Sequence, residues 1–190
     1  MILLSWGTSI NIEPFILSLL IINFNIGFIS SALKCSNTPS VLSLTRQNLK
    51  PIRIKYSKTN KCALGAYEIL RTNNKIKLTI LASGSEVNLA IETSHKLAKY
   101  KIYSKVISVP SLELFKLQSK SYKNKILNET KYKISIEAAS TEPWKQLVGN
   151  NGFCFGIDDF GKSAPYKDIF KYFGLTIEDI VKKIIKMLHK

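Results

Sequence analysis

A short apolar run, Leu78-Thr-Ile-Leu-Ala82, stops at Ser83-Gly84 and gives way at once to Val87, Ala90, Ile91, Ser94, Leu97 and Ala98 at helical spacing. An uninterrupted apolar run of this length reads as a strand buried on both faces, and the following period as one face of a helix. Ser85 stands where a cap would be and Glu86 falls in the first turn, where an acidic side chain suits the helix dipole. Strand character returns over Tyr103 to Val109, ending at Pro110, and helical character over Leu112 to Leu117. Lys133-Ile-Ser-Ile-Glu137 and Phe153-Cys-Phe-Gly-Ile157 read as further strands, and Ala66 to Leu70 as an edge strand. A strand, helix, strand succession forces crossover connections and hence a mainly parallel sheet. The pattern alone implies an α/β fold with a mainly parallel sheet.

The closing helix is the plainest element. Ile177, Ile180, Val181, Ile184, Ile185 and Leu188 form an apolar stripe, with Glu178 to Lys182 and Asp179 to Lys183 pairing at i,i+4 on the other face. Thr176 with Asp179 makes a near capping box. Earlier, Val41 to Thr45 alternates like a strand, and a Lys-rich stretch from Pro51 to Lys61 reads as a linker.

Charge changes abruptly along the chain. No Lys or Arg precedes Lys34, and the remaining 157 of the 190 residues carry all 28. Within the uncharged part, Phe15 to Ile29 is strongly apolar, but as a helix it spans about 22 Å, short of the roughly 30 Å hydrocarbon core. A secretory signal needs basic residues in front, and none is there. A membrane or targeting segment and an aberrant leader both remain open for residues 1–31.

The net charge of +15 first suggests nucleic acid. Only Arg46, Arg53 and Arg71 are arginines, however, whereas base and phosphate recognition favours the guanidinium fork. Lys, Ile and Asn make up 63 of the 190 residues, a bias that AT-rich codons supply without any ligand selecting it. No nucleic-acid partner is expected. Cys35, Cys62 and Cys154 have neither disulfide nor zinc spacing, which points to a reducing compartment, and His95 and His189 lack ligand-type neighbours.

Gly156-Ile-Asp-Asp-Phe-Gly161-Lys162-Ser163 satisfies the phosphate-loop pattern literally. Three features oppose it. Asp158 and Asp159 would repel a phosphate, Pro165 stands in the turn that should open a helix, and too little chain comes after it to supply a metal-binding strand. Asp159-Phe160-Gly161 mimics a kinase metal motif without its companions. Ser83, Gly84, Ser85 and Glu86 at a strand-to-helix turn could hold an anion, though a helix cap is the simpler use.

Five blocks resemble the end of a transketolase. They are Leu44-Thr-Arg-Gln-Asn-Leu49; Leu81-Ala-Ser-Gly-Ser-Glu-Val87; Ser108-Val-Pro-Ser-Leu-Glu-Leu-Phe115; Ile136-Glu-Ala-Ala139 with Trp144 and Gly149; and Phe160-Gly-Lys-Ser-Ala-Pro165. They run from about Ala32 to Leu188 in the family's order and spacing, and Lys162 departs from the family's small or acidic residue. The resemblance implies three segments: an unmatched apolar leader at 1–31, the end of a pyrimidine-binding domain and linker at 32–60, and a transketolase C-terminal domain at 61–190. For that domain it implies a three-layer α/β fold, a mainly parallel five-stranded sheet flanked by helices with Ala66 to Leu70 as one possible antiparallel edge strand. It implies descent from an enzyme that moves a two-carbon ketol unit between sugar phosphates in the pentose phosphate pathway, using thiamine diphosphate and Mg²⁺ or Ca²⁺.

This chain lacks the Gly-Asp-Gly segment for the metal and diphosphate, so it is expected to bind no cofactor and to be inactive alone. By the same resemblance, Arg46 matches the arginine that grips the sugar's phosphate, chemistry suited to a guanidinium fork. No catalytic or metal-binding residue carries over. The family is homodimeric and cytoplasmic. A separate polypeptide bringing the missing domains is one alternative; a membrane-tethered module, or one binding nucleotide through Gly156–Ser163, is another.

Overall fold

The computed structural model describes residues 26–35, 37–43, 45, 49, 51–52 and 59–189. Its centre is a five-stranded sheet of β1 (Tyr67–Arg71), β2 (Leu78–Ala82), β3 (Ser104–Ser108), β4 (Tyr132–Ile136) and β5 (Phe153–Phe155), in the order β1-β3-β2-β4-β5. The β2–β3, β2–β4 and β4–β5 pairs are parallel, and β1 joins β3 antiparallel at the edge. The expected sheet and its antiparallel edge strand are both observed. Seven α-helices accompany it among the described residues: α1 (Ile26–Lys34), α2 (Glu86–Lys99), α3 (Leu112–Lys116), α4 (Lys120–Leu127), α5 (Glu142–Val148), α6 (Tyr166–Tyr172) and α7 (Ile177–Leu188).

Side-chain alternation along β2 assigns the layers. Leu78, Ile80 and Ala82 pack with Val87, Ala90 and Leu97 of α2 and Ile180, Val181 and Ile184 of α7. Leu81, Ile107 and Val109 turn the other way, toward Phe115, Ile126, Trp144 and Val148 around α3, α4 and α5. Helices on both faces explain why β2 and β3 are buried along their whole length and why their sequences lack polar alternation.

Local chemistry differs from expectation in several places. Ser85 precedes α2, but its side chain does not cap; its hydroxyl donates instead to the Glu86 carboxylate at 2.7 Å. That carboxylate is 6% exposed and needs a donor more than the exposed turn does. Thr176 does cap α7, accepting from the Asp179 amide at 3.2 Å and donating to the Asp179 carboxylate at 2.6 Å. The expected pairs on α7 are replaced by longer-range ones. Glu178 takes Lys96 of α2 at 2.5 Å, and Lys183 lies 3.7 Å from the centroid of the Phe153 ring on the β5 edge. Covering an exposed edge strand with a lysine also discourages edge-to-edge pairing.

Residues 41–43 and 45 form no strand. The alternation there had no adjacent strand to pair with among the described residues, and alternation alone makes no ladder. The helices α4 and α5 were not foreseen, because their surfaces are largely polar and each buries only one or two residues. A 3₁₀ turn, Lys61–Leu64, connects the linker to β1, and α1 rests on it. The Asn60 side chain donates to the Gly27 carbonyl at 2.8 Å and to the Ser31 hydroxyl at 3.0 Å. Thus α1 runs across the 31/32 boundary and is tied to the linker's end. No helix among the described residues is long and apolar enough to cross a membrane. Most of the Phe15–Ile29 run lies outside the described residues.

Candidate functional site

From β2 the chain crosses to β3 on one side and then to β4 on the other, so β2 and β4 flank the point where the winding reverses. Open α/β sheets bind ligands at the carboxyl ends of strands at such a point. Two carboxylates meet there. Glu137 follows β4 and accepts from the Ser83 hydroxyl at 2.5 Å; Glu86 opens α2 just beyond the β2 end. Burial pushes both carboxyls up. Hydrogen bonds offset this in each, from Ser85 to Glu86 and from Ser83 to Glu137, while the Glu86 charge pushes Glu137 further. An open cavity of about 320 Å³ lies beside them, walled by Pro110, Leu112, Pro143 and Trp144, with Ser83, Glu113 and Glu137 among its polar groups. No described Lys or Arg lines it, in a chain with 28.

This overturns the idea that Ser83 to Glu86 hold an anion. Uncompensated carboxylates repel a phosphate, and the helix end that might attract one is already occupied by Glu86. A raised carboxyl pKa favours the protonated group in the fold, so the stability it contributes is present below the ordinary carboxylate range and lost as pH rises through the raised value. Glu86→Gln is therefore expected to melt above the unaltered chain at pH 7, with the gain vanishing as the pH is lowered to 4. Thermal melts of both proteins across that range check it.

The literal phosphate pattern is not a phosphate cradle. Residues 156–165 carry no helix, and α6 begins only at Tyr166, after Pro165. Asp158 is bound by the Thr141 amide at 2.8 Å and the Thr141 hydroxyl at 2.6 Å, while the Lys162 ammonium sits 5.7 Å from the Tyr172 ring centroid. The loop's polar groups serve its own attachment. Cys62 is buried, with its sulfur 4.0 Å from the Tyr67 hydroxyl, Cys35 is exposed, and no disulfide joins the three cysteines. Among the described residues no three His, Cys, Asp or Glu side chains gather as a metal-holding group. Arg46 lies outside the described residues.

Sequence reasoning placed Glu86 and Glu137 within separate motifs and missed their meeting. Each stands just beyond a buried strand, and that was the available signal.

Residues 65–176 match the family model described as the transketolase-like TK C-terminal domain. The chain belongs to the transketolase family. The transketolase of Sinorhizobium medicae is 38% identical over 160 residues, covering 84% of this chain and 23% of that protein. A Pichia stipitis transketolase solved in complex with sedoheptulose-7-phosphate superposes with a TM-score of 0.76 at 32% identity, over 86% of this chain and 23% of that one. A chain of a split-gene transketolase, titled an inactive β4 tetramer, shares the fold at a TM-score of 0.57 and 17% identity, over 76% of this chain and 48% of that one. The transketolase likeness anticipated from the five blocks is thereby established, and the chain spans about a quarter of its relatives' length. It is a transketolase C-terminal region, and the domain matched is the sheet and helices described above.

Proposed function

We propose that this chain is the C-terminal part of a transketolase and has no ketol-transfer activity by itself. The observation that carries this reading is coverage: 84% of the chain matches 23% of a complete enzyme. In the assembled enzyme, transfer of a two-carbon unit between sugar phosphates would use thiamine diphosphate and a divalent metal held by polypeptide absent here. The described residues do not fit that group. The concavity at the carboxyl edge presents carboxylates and hydroxyls with no described cation for a diphosphate, and the carboxylates bond to neighbouring serines rather than converging as ligands.

On this reading residues 32–60 end the pyrimidine-binding domain, 61–190 form the C-terminal domain and 1–31 belong to neither. The enzyme is cytoplasmic and homodimeric. Arg46 grips the phosphate of the sugar, a role suited to a fixed fork of donors. A second reading, favoured by the split-gene structure, makes this chain one subunit that regains activity with a separately encoded partner.

Purified chain supplied with pentose phosphates, thiamine diphosphate and Mg²⁺ is expected to show no turnover; measurable ketol transfer by the chain alone overturns the reading. In any assembly that does regain activity, Arg46→Ala should raise KM for phosphorylated sugars at least tenfold with a smaller change in kcat. An unchanged KM removes the proposed role.

A further inference from the structure

The sequence contains a single Asn-Gly pair, Asn151-Gly152. It lies in the turn between α5 and β5, where the Gly152 amide donates to the Gly149 carbonyl at 3.3 Å. That length is beyond the usual range of about 2.7–3.2 Å, so the amide is loosely held. Asn151 is exposed, and among the described residues no hydrogen bond holds its side chain. Other asparagines differ on both counts. The Asn60 carboxamide is held by Gly27, Ser31 and the Cys62 amide, Asn73 accepts from the Lys75 amide at 3.0 Å, and Asn128 donates to Asn124 at 2.9 Å. Each of these precedes a residue whose side chain screens the following amide nitrogen.

A free carboxamide next to a bare glycine amide carries its own reaction. Without a Cβ on Gly152 nothing blocks the approach of its nitrogen. Once that nitrogen has lost its proton to hydroxide, it attacks Cγ of Asn151. The new N–Cγ bond closes a five-membered succinimide, the bond from Cγ to the side-chain nitrogen breaks, and ammonia leaves with a proton taken from water. Water then opens the ring at either carbonyl. Attack at Cγ gives aspartate on the ordinary backbone; attack at the main-chain carbonyl carbon leaves Gly152 joined through Cγ and the former main-chain carbonyl as a carboxylate. The net change consumes water, releases ammonia and needs no oxidant.

The second product, an isoaspartyl linkage, adds a methylene to the main chain just before a fixed point. A methyl built on Gly152 would stand 1.9 Å from the Lys133 carbonyl oxygen and 2.4 Å from a Val148 methyl carbon, so the Gly152 backbone is seated against the start of β4. The next residue, Phe153, already pairs with Ile134, and Lys183 rests on its ring. With only three residues in β5, few ladder bonds oppose its displacement. We infer that Asn151 is a site of spontaneous deamidation in the folded chain and that its isoaspartyl product unseats β5.

The full chain is aged at pH 8, folded and in urea, and isoaspartate is read by an isoaspartyl-specific carboxyl methyltransferase and located by peptide mass spectrometry. Label at residue 151 is expected in at least tenfold excess over any other asparagine, at a folded rate within tenfold of that in urea. Asn151→Gln, whose longer side chain closes the ring poorly, is expected to lose nearly all of the label. Asn151→Asp carries the new charge on an ordinary backbone, and the isoaspartyl fraction isolated by ion exchange is expected to melt roughly 4 °C below it. A smaller excess at residue 151, protection beyond tenfold by folding, retained label in Asn151→Gln, or equal melting of the isoaspartyl fraction and Asn151→Asp overturns the inference.

Discussion

Gly65→Ala is expected to destabilise the domain by about 3 kcal/mol or more, lowering its melting temperature by roughly 10 °C. A methyl built at this position stands 2.1 Å from the Phe115 amide nitrogen and 2.6 Å from the Ser111 carbonyl oxygen. Both are backbone atoms that no rotamer change can move. The φ of +73° adds a conformational cost for any L side chain, on the order of 1 kcal/mol. Moving the Ser111–Phe115 turn aside would withdraw Phe115, 1% exposed, from the core beneath α3. Gly84→Ala is the control: its φ is +48°, yet a methyl there meets nothing within 4 Å. It should cost only the conformational part, about 1 kcal/mol. Chemical denaturation of the two variants separates steric from conformational effects, and equal losses would refute the steric account.

The second large effect belongs to Glu129, at the opposite edge of the sheet. Lys105 on β3 is buried, its side chain 1% exposed, and its ammonium meets the Glu129 carboxylate at 2.9 Å and the Lys125 carbonyl at 3.4 Å. Arg71 donates to Glu129 at 2.5 and 2.8 Å and to Glu68 at 2.7 and 2.9 Å. Hydrogen bonds from Arg71 and then Lys105 hold the Glu129 carboxyl down to about 2, and the two glutamates raise the Arg71 guanidinium above its ordinary value. Glu129→Ala leaves a buried ammonium with one weak acceptor. The penalty for breaking a buried pair, reduced because the Glu129 side chain is 39% exposed, comes to about 2–3 kcal/mol.

Replacing Lys105 by Met in the Glu129→Ala background should recover much of that loss, since an apolar residue of similar length needs no counter-charge. A double-mutant cycle by urea unfolding reads the coupling directly, and strict additivity would show that the pair is not coupled. The pH dependence has a definite sign. A depressed carboxyl contributes stability that is present above its unfolded value and lost as the pH falls toward about 2. Unaltered chain should lose stability more steeply than Glu129→Ala between pH 4.5 and 2, the reverse of the trend expected around Glu86.

These two edges mark how much of the molecule could be read from its residues in order. The strands β2 and β3 and the helix α7 were legible, because each depends on periodicity within a few residues, whereas the antiparallel placement of β1 against β3 was implied only by the family resemblance. The helices α4 and α5 were not, since their packing faces are one or two residues wide and the remainder is solvated. Ser85 was placed correctly but its expected use as a cap was wrong. Its hydroxyl had two acceptable acceptors or donors nearby, and only the burial of Glu86 settles between them. Glu178 and Lys96 are 82 positions apart, and nothing local announces that they pair instead of Glu178 and Lys182.

Family and fold class were readable from the residues alone. Five short blocks in fixed order, and apolar runs alternating with helical stripes, survive any reasonable folding of the rest. The character of the carboxyl edge, in contrast, emerged only once the sheet was assembled. Packing set Glu86 beside Glu137 and excluded phosphate from that turn, tied the Lys162 loop to Thr141 so that it cradles nothing, and left Phe160 standing outside the core. A residue's electrostatics and exposure come from neighbours that are distant in sequence and brought near by the winding of the sheet, whereas secondary structure is set chiefly by residues close along the chain.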